Sequence, residues 1–219
     1  MIRRLHSALM FLMAGACFAQ VPPQALAHLP LLVSEAKRLQ SPVPTHVMAG
    51  QIDHETACPQ PKKCWNPRVE FRTSGERGAG LGQITTVFGR FDALAEARQA
   101  HRAELAGWSW DNVSDSTYQI RALVLKNADN HRTLSPLFDD ALAPVLTAYN
   151  RGVGGIRADR RRCQVTPGCA PYKWAKNVEH ACASGTAIIP GTRLTACQIS
   201  RKYAPDVLAR AEKYRKVAR

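Results

Sequence analysis

Glu55 is the residue of this chain whose placement most invites chemistry. Met48, Ile52 and Glu55 are spaced at i, i+4 and i+7, so a helix from Thr45 to about Thr56 carries a carboxylate on its core-seeking face. Burial raises a carboxyl pKa and keeps its proton on, which is what a general acid needs. Gln51 lies beside that face, whereas Asp53 and His54 point elsewhere and read as surface. Further on, Gly78, Gly80 and Gly82 punctuate a short stretch that ends in Gln83. No Lys-Ser/Thr follows these glycines, so they serve tight turns and not a phosphate-binding loop. Tyr149 closes the apolar face of a later helix, and Asn150 follows it.

The elements that position these residues are mainly helical. Leu29, Leu32, Val33 and Ala36 give helical periodicity over residues 28–40, and Ser41-Pro42-Val43-Pro44 breaks it. Thr45 is placed to cap the Glu55 helix. From Ala57 to Gly82 the composition is that of a loop with short extended pieces. Val87, Phe88, Phe91, Leu94 and Leu105 predict helix from about Thr86 to Ala106, and a further helix is predicted near Thr117–Lys126. Pro136 suits the first turn of the Tyr149 helix, and Gly152-Val153-Gly154-Gly155 ends it. Residues 171–183 and 205–218, the latter with Pro205 in its first turn, complete the pattern. Trp65, Trp108 and Trp110 read equally as core or as exposed stacking platforms.

Charge and cysteines bound the setting. The 219-residue chain carries a net charge of +13, placed unevenly: residues 28–150 are electrically balanced, and 151–219 hold fifteen basic against four acidic side chains. A basic third with Arg157, Arg160, Arg161 and Arg162 raises nucleic-acid binding as a question. At the other end, Arg3 and Arg4 precede an apolar run from Leu5 to Phe18, followed by small residues. This reads as a signal peptide over residues 1–19, with cleavage as late as residue 27, and it is too short for a stable membrane span. No later apolar run is long enough to supply a transmembrane segment. Six cysteines remain beyond the leader, an even number suited to disulfides in an exported chain. Of the fifteen pairings, the local ones are simplest: Cys58–Cys64, Cys163–Cys169 and Cys182–Cys197. Zinc sites use tighter cysteine spacing, so no metal or other cofactor is expected.

Three segments also resemble a known family in their order. They are Gln51-Ile52-Asp53-His54-Glu55-Thr56, Ser74-Gly75-Glu76-Arg77-Gly78-Ala79-Gly80-Leu81-Gly82-Gln83-Ile84 and Ala148-Tyr149-Asn150-Arg151-Gly152-Val153-Gly154. The order is that of the soluble lytic transglycosylase-like (SLT) family, and the resemblance covers residues 28–183. It implies a mainly α, α+β lysozyme-like catalytic domain of the goose-type lysozyme kind, with residues 184–219 as a basic extension packing on the same domain. It implies Glu55 as the catalytic residue, with Ser74 and Gln83 lining the glycan groove. It also implies a Tyr149 phenol that orients the Glu55 carboxyl, and an Asn150 that bonds a sugar substituent. A family tyrosine four residues before a valine aligns with Trp174 ahead of Val178, with Tyr172 close by. The departures are Thr56 for Ser, Gly82 for Met, Arg77-Gly78 for Gly-Ala, and a longer loop before Ser74 that holds Cys58 and Cys64.

The resemblance implies cleavage of the MurNAc–GlcNAc β-1,4 bond in peptidoglycan strands, in the periplasm or outside the cell. Ordinary glycosidases use two carboxylates, and the motifs here offer one. One carboxyl suffices if it protonates the leaving oxygen and then, as a base, takes the proton of the sugar's own C6 hydroxyl to close a 1,6-anhydro ring. The alternatives are a goose-type hydrolytic lysozyme and a non-catalytic cell-wall binding or assembly protein. Partners in a secretion, conjugation or phage-related assembly fit such an enzyme. Nucleic acid is disfavoured by the leader, the disulfides and the lack of a recognisable nucleic-acid motif.

Overall fold

The structure is a computed structural model that describes residues 20–183 and 194–219. The signal peptide predicted over 1–19 and most of the link into the basic extension lie outside the described residues. Helices dominate, with one small antiparallel sheet.

The first helix, α1 (Pro23–Arg38), starts five residues before the expected point. Pro22 and Pro23 open the helix, because proline is tolerated in a first turn where no N–H partner is required. Ala25, Leu29, Leu32 and Ala36 turn into the core. α2 (Thr45–Glu55) is buried over Val47 to Asp53, and Pro44, not Thr45, holds its N-cap position without a side-chain cap. Three disulfides join Cys58–Cys64, Cys163–Cys169 and Cys182–Cys197.

The next region departs from the predicted helix over 86–106. β1 (Glu70–Arg72), β2 (Glu76–Ala79), β3 (Ile84–Val87) and β4 (Phe91–Asp92) form a four-stranded meander. Ile84-Thr85-Thr86-Val87 is rich in β-branched side chains, which favour strand, and Gly89 turns the chain at a φ of 71°. Helix begins only at α3 (Ala93–Ala100), where the Asp92 carboxylate accepts from the Leu94 and Ala95 N–H groups. A short α4 (Arg102–Leu105) follows.

α5 (Ser116–Leu134) and α6 (Leu142–Gln164) form the long walls. α6 does not stop at the glycines: Gly152 breaks it at φ 75° and ψ 150°, and the chain then resumes its helical course. Residues 171–183 form turns, not the predicted helix, with one 3-10 turn over Val178–His180. The last helix, α7 (Ala196–Ala211), starts well before Pro205, at a capping box between Thr195 and Gln198.

α7 is part of the core and not a peripheral appendage. Tyr203, Ala204, Val207 and Ala211 are buried with α1, α2, α5 and α6 in the larger of two apolar clusters. Gly50 of α2 makes this possible. A Cβ there would lie 2.6 Å from the Val207 carbonyl oxygen and 2.7 Å from the Ala211 nitrogen, so the two backbones cross almost in contact. The smaller cluster joins Ala79 of the sheet to Leu94, Leu105, Trp108 and Ala122. Trp65 and Trp108 are core residues. Trp110 is half-buried at the sheet, where its Nε1 donates to Asp92 and the Arg77 guanidinium covers its ring.

Candidate active site

Glu55 is the last residue of α2, where the helix reaches a cavity of about 380 Å³. The carboxyl is held by α7. Tyr203 is 3% exposed, and its Oη donates to Glu55 Oε1. The same Oη accepts from Gln51 Nε2 at 3.1 Å, and Gln51 Oε1 accepts from Asn127 Nδ2 of α5 at 2.7 Å. Because Gln51 supplies a hydrogen to the phenol, the phenolic proton is free to point at the carboxyl. Three helices therefore fix one oxygen of Glu55.

The electrostatics suit proton transfer. Burial raises the Glu55 carboxyl to about 7, against the opposing pull of the Tyr203 hydrogen bond and the Lys126 charge. A group with that pKa is available as both acid and base near neutrality. Burial also lowers the pKa of Lys126 on α5, and the Glu55 and Glu96 charges oppose that shift. Burial pushes the Tyr149 and Tyr203 phenols well above their ordinary range, so both act as neutral donors.

Tyr149 differs from its expected role as the partner of Glu55. Its Oη donates to the Gly82 carbonyl at 2.8 Å, and its ring stacks on Tyr203 with centroids 6.2 Å apart. Tyr149 therefore supports the residue that holds Glu55 and ties the β2–β3 turn to α6. Tyr203, four residues ahead of the buried Val207, is the tyrosine that holds Glu55. Trp174 is a core residue, edge-on to Phe138 and covered by the Arg201 guanidinium. Tyr172 is 49% exposed, and neither residue lines the cavity beside Glu55.

The opposite wall of the cavity is the sheet. Glu76 and Gly78 of β2 and Thr85 of β3 alternate onto one face, with Phe71 of β1 in register with Gly78. Gln83 lines the same cavity from the β2–β3 turn, its Nε2 donating to the Gly80 carbonyl at 2.9 Å. Ser74 is exposed at the tip of the β1–β2 turn and does not line the cavity. Asn150 is exposed on α6, next to Tyr149. Glu70 also borders the cavity, paired with Arg77 at 2.5 Å.

Asp53 is fully buried, contrary to its surface reading. It accepts from Arg210 and Lys213, both at 3.0 Å, and from Tyr214 Oη at 2.7 Å. Asp159 likewise pairs with Arg151 and Arg201. Four charges of the basic third thus neutralise two buried carboxylates and lock α6 and α7 in place. Asp53 also lies near Cys58 and Cys64, but those sulfurs are bonded to each other and offer no thiolate to a metal. His54 is half-buried and packs edge-on against Tyr203 with centroids 4.9 Å apart.

Tyr203, Lys126, Glu70 and Glu76 are the site residues that sequence reasoning missed. The i, i+4, i+8 spacing of Tyr203, Val207 and Ala211 was a usable helical signal for the first; the others have no local signature. Compared with known proteins, the chain matches no family model and no curated protein.

Proposed function

We propose that the protein is an exported peptidoglycan lytic transglycosylase of the SLT kind, with a lysozyme-like catalytic domain. The observation that carries this reading is the Glu55 carboxyl, raised to about 7 and held by Tyr203 at the edge of an open cavity. A protonated Glu55 gives its proton to the glycosidic oxygen as the bond to C1 breaks. The resulting carboxylate takes the proton from the C6 hydroxyl of the same N-acetylmuramic residue, whose oxygen bonds to C1. The glycan is cut, a 1,6-anhydro ring closes, and Glu55 regains its proton. No metal or organic cofactor enters this scheme. The three disulfides fit an exported protein, and no helix among the described residues is long and apolar enough to cross a membrane.

Hydrolysis is a second reading, and Glu76 favours it. A carboxylate on the wall facing Glu55 is where an inverting glycosidase keeps the base that activates water. Mass spectrometry of the muropeptides released from sacculi separates the two: anhydro ends mark the transglycosylase and reducing ends the hydrolase. Glu55→Gln is expected to release neither. Undiminished digestion by that variant would overturn both readings.

A further inference from the structure

The basic third holds more positive charge than its buried carboxylates use. Of its fifteen cationic side chains, Arg151, Arg201, Arg210 and Lys213 are committed to Asp53 and Asp159. Arg162 and Lys176 are not: among the described residues neither side chain has a hydrogen bond or an ion pair. Both line a cavity of about 450 Å³ at the C-terminal end of α6, within the range of small-ligand sites. It shares no residue with the cavity beside Glu55.

The walls come from two segments that the fold ties down. Thr166 and Gly168 belong to the loop closed by Cys163–Cys169, and Lys176, Asn177 and His180 to the turns ahead of Cys182, which is bonded to Cys197 of α7. Asn177 Oδ1 accepts from the Ala170 N–H at 2.8 Å and joins the two segments. An arginine in a last helical turn often caps the carbonyls of its own helix. Here Thr166 does that, its Oγ1 donating to the Arg162 carbonyl at 2.8 Å and its N–H to the Cys163 carbonyl at 3.0 Å. Among the described residues no carboxylate lines the cavity. Glu179 accepts from the Lys176 N–H, lies 3.3 Å from His180 Nε2, and lines the neighbouring cavity against α7. The surplus is therefore one guanidinium and one ammonium bordering the same concave space, and a bound anion relieves their repulsion. A guanidinium presents a planar fork that matches two phosphate oxygens, and an ammonium adds a point charge.

We propose that this cavity binds the phosphate group of an anionic ligand, with Arg162 and Lys176 as its counter-charges. A soluble phosphate ester and the headgroup of an anionic phospholipid share that chemistry. The site is independent of the Glu55 reading, because the two cavities have no residue in common.

The test titrates the disulfide-bonded protein with glycerol phosphate and follows backbone amides by NMR. Gly168, Lys176 and Asn177 are expected to shift and saturate. Arg162→Gln combined with Lys176→Gln should weaken the affinity by about tenfold or more, the size of one charge-assisted contact. Both side chains are exposed and unpaired, so the double variant should keep the wild-type unfolding midpoint. A second arm sediments the protein with vesicles of phosphatidylcholine, with and without phosphatidylglycerol. Sedimentation that requires phosphatidylglycerol and is reversed by glycerol phosphate identifies the lipid headgroup as the source. Glycerol phosphate binding without sedimentation identifies a soluble ester. The assignment is overturned if those amides do not shift, if acetate shifts them equally, or if the folded double variant binds glycerol phosphate as wild type does. None of these results bears on cleavage by Glu55, which muropeptide release measures separately.

Discussion

Tyr203 Oη donates to Glu55 Oε1 across 148 residues of sequence, from the middle of α7 to the last residue of α2. That bond stabilises the charged carboxylate and so works against the burial that raises its pKa. Tyr203→Phe removes the donor and leaves Gln51 Nε2 without its acceptor. The Glu55 pKa should therefore rise further, moving the alkaline limb of the pH–rate profile upward. Activity should fall by roughly tenfold or more as the carboxyl loses its orientation. A profile that keeps its limb in place would assign Tyr203 a purely structural role.

The raised pKa also has a consequence for stability. A carboxyl bound to its proton more tightly in the folded state contributes stability at low pH, and that contribution is lost as pH rises through its folded pKa near 7. Glu55→Gln removes the ionisation. The variant should match wild type near pH 4 and exceed it near pH 8 by on the order of 2 kcal/mol. Urea unfolding at the two pH values checks the difference, and an equal effect at both would contradict a raised folded-state pKa.

Gly50 carries a different kind of constraint. Any Cβ at this position meets the α7 backbone at 2.6–2.8 Å, so Gly50→Ala must push α2 and α7 apart. The expected cost is about 1–3 kcal/mol, the usual range for overpacking. Because Glu55 and Tyr203 belong to these two helices, activity should fall more than stability alone accounts for. Denaturation midpoints measured with kcat at a temperature where both proteins are folded separate the two effects.

How much of this was legible in sequence depends on where each residue's partners lie. Glu55 announced itself because its apolar neighbours are on its own helix at fixed spacing. The cysteines paired with near neighbours, so local pairing sufficed. Asp53 failed because its partners Arg210, Lys213 and Tyr214 come from the far end of the chain, and a single-helix argument sees an exposed face where α7 packs. Tyr203 was missed for a related reason: Pro205 was read as a helix start, whereas Thr195 caps the helix ten residues earlier. The sheet was lost because Val87, Phe88 and Phe91 fit the helical period, although the β-branched run before them and Gly89 between them favour a hairpin.

Asp53 supplies the clearest stability prediction. It is fully buried and faces two cations and a phenol. Asp53→Asn keeps the shape but leaves Arg210 and Lys213 without their counter-charge. Removing one member of a buried ion pair typically costs about 3–5 kcal/mol, reduced here because Arg210 is partly open to solvent. Thermal unfolding of the variant with Arg210→Met added is the control. Partial recovery in the double variant marks an electrostatic cause, and further loss marks a packing one.

Glu76 decides which chemistry follows bond cleavage. Its place on the wall facing Glu55 suits a base that directs water, while the transglycosylase scheme leaves the second deprotonation to Glu55 alone. Under the proposed mechanism, Glu76→Gln should still release muropeptides with 1,6-anhydro ends, at a rate set by how well the strand is held. Digestion in heavy-oxygen water makes the measurement direct, because closing the anhydro ring incorporates no solvent oxygen and hydrolysis incorporates one at each new reducing end. Label in the wild-type products that disappears with Glu76→Gln would transfer the nucleophile from the sugar's C6 hydroxyl to water. It would also make Glu76, with Glu55, the second carboxylate of a hydrolase.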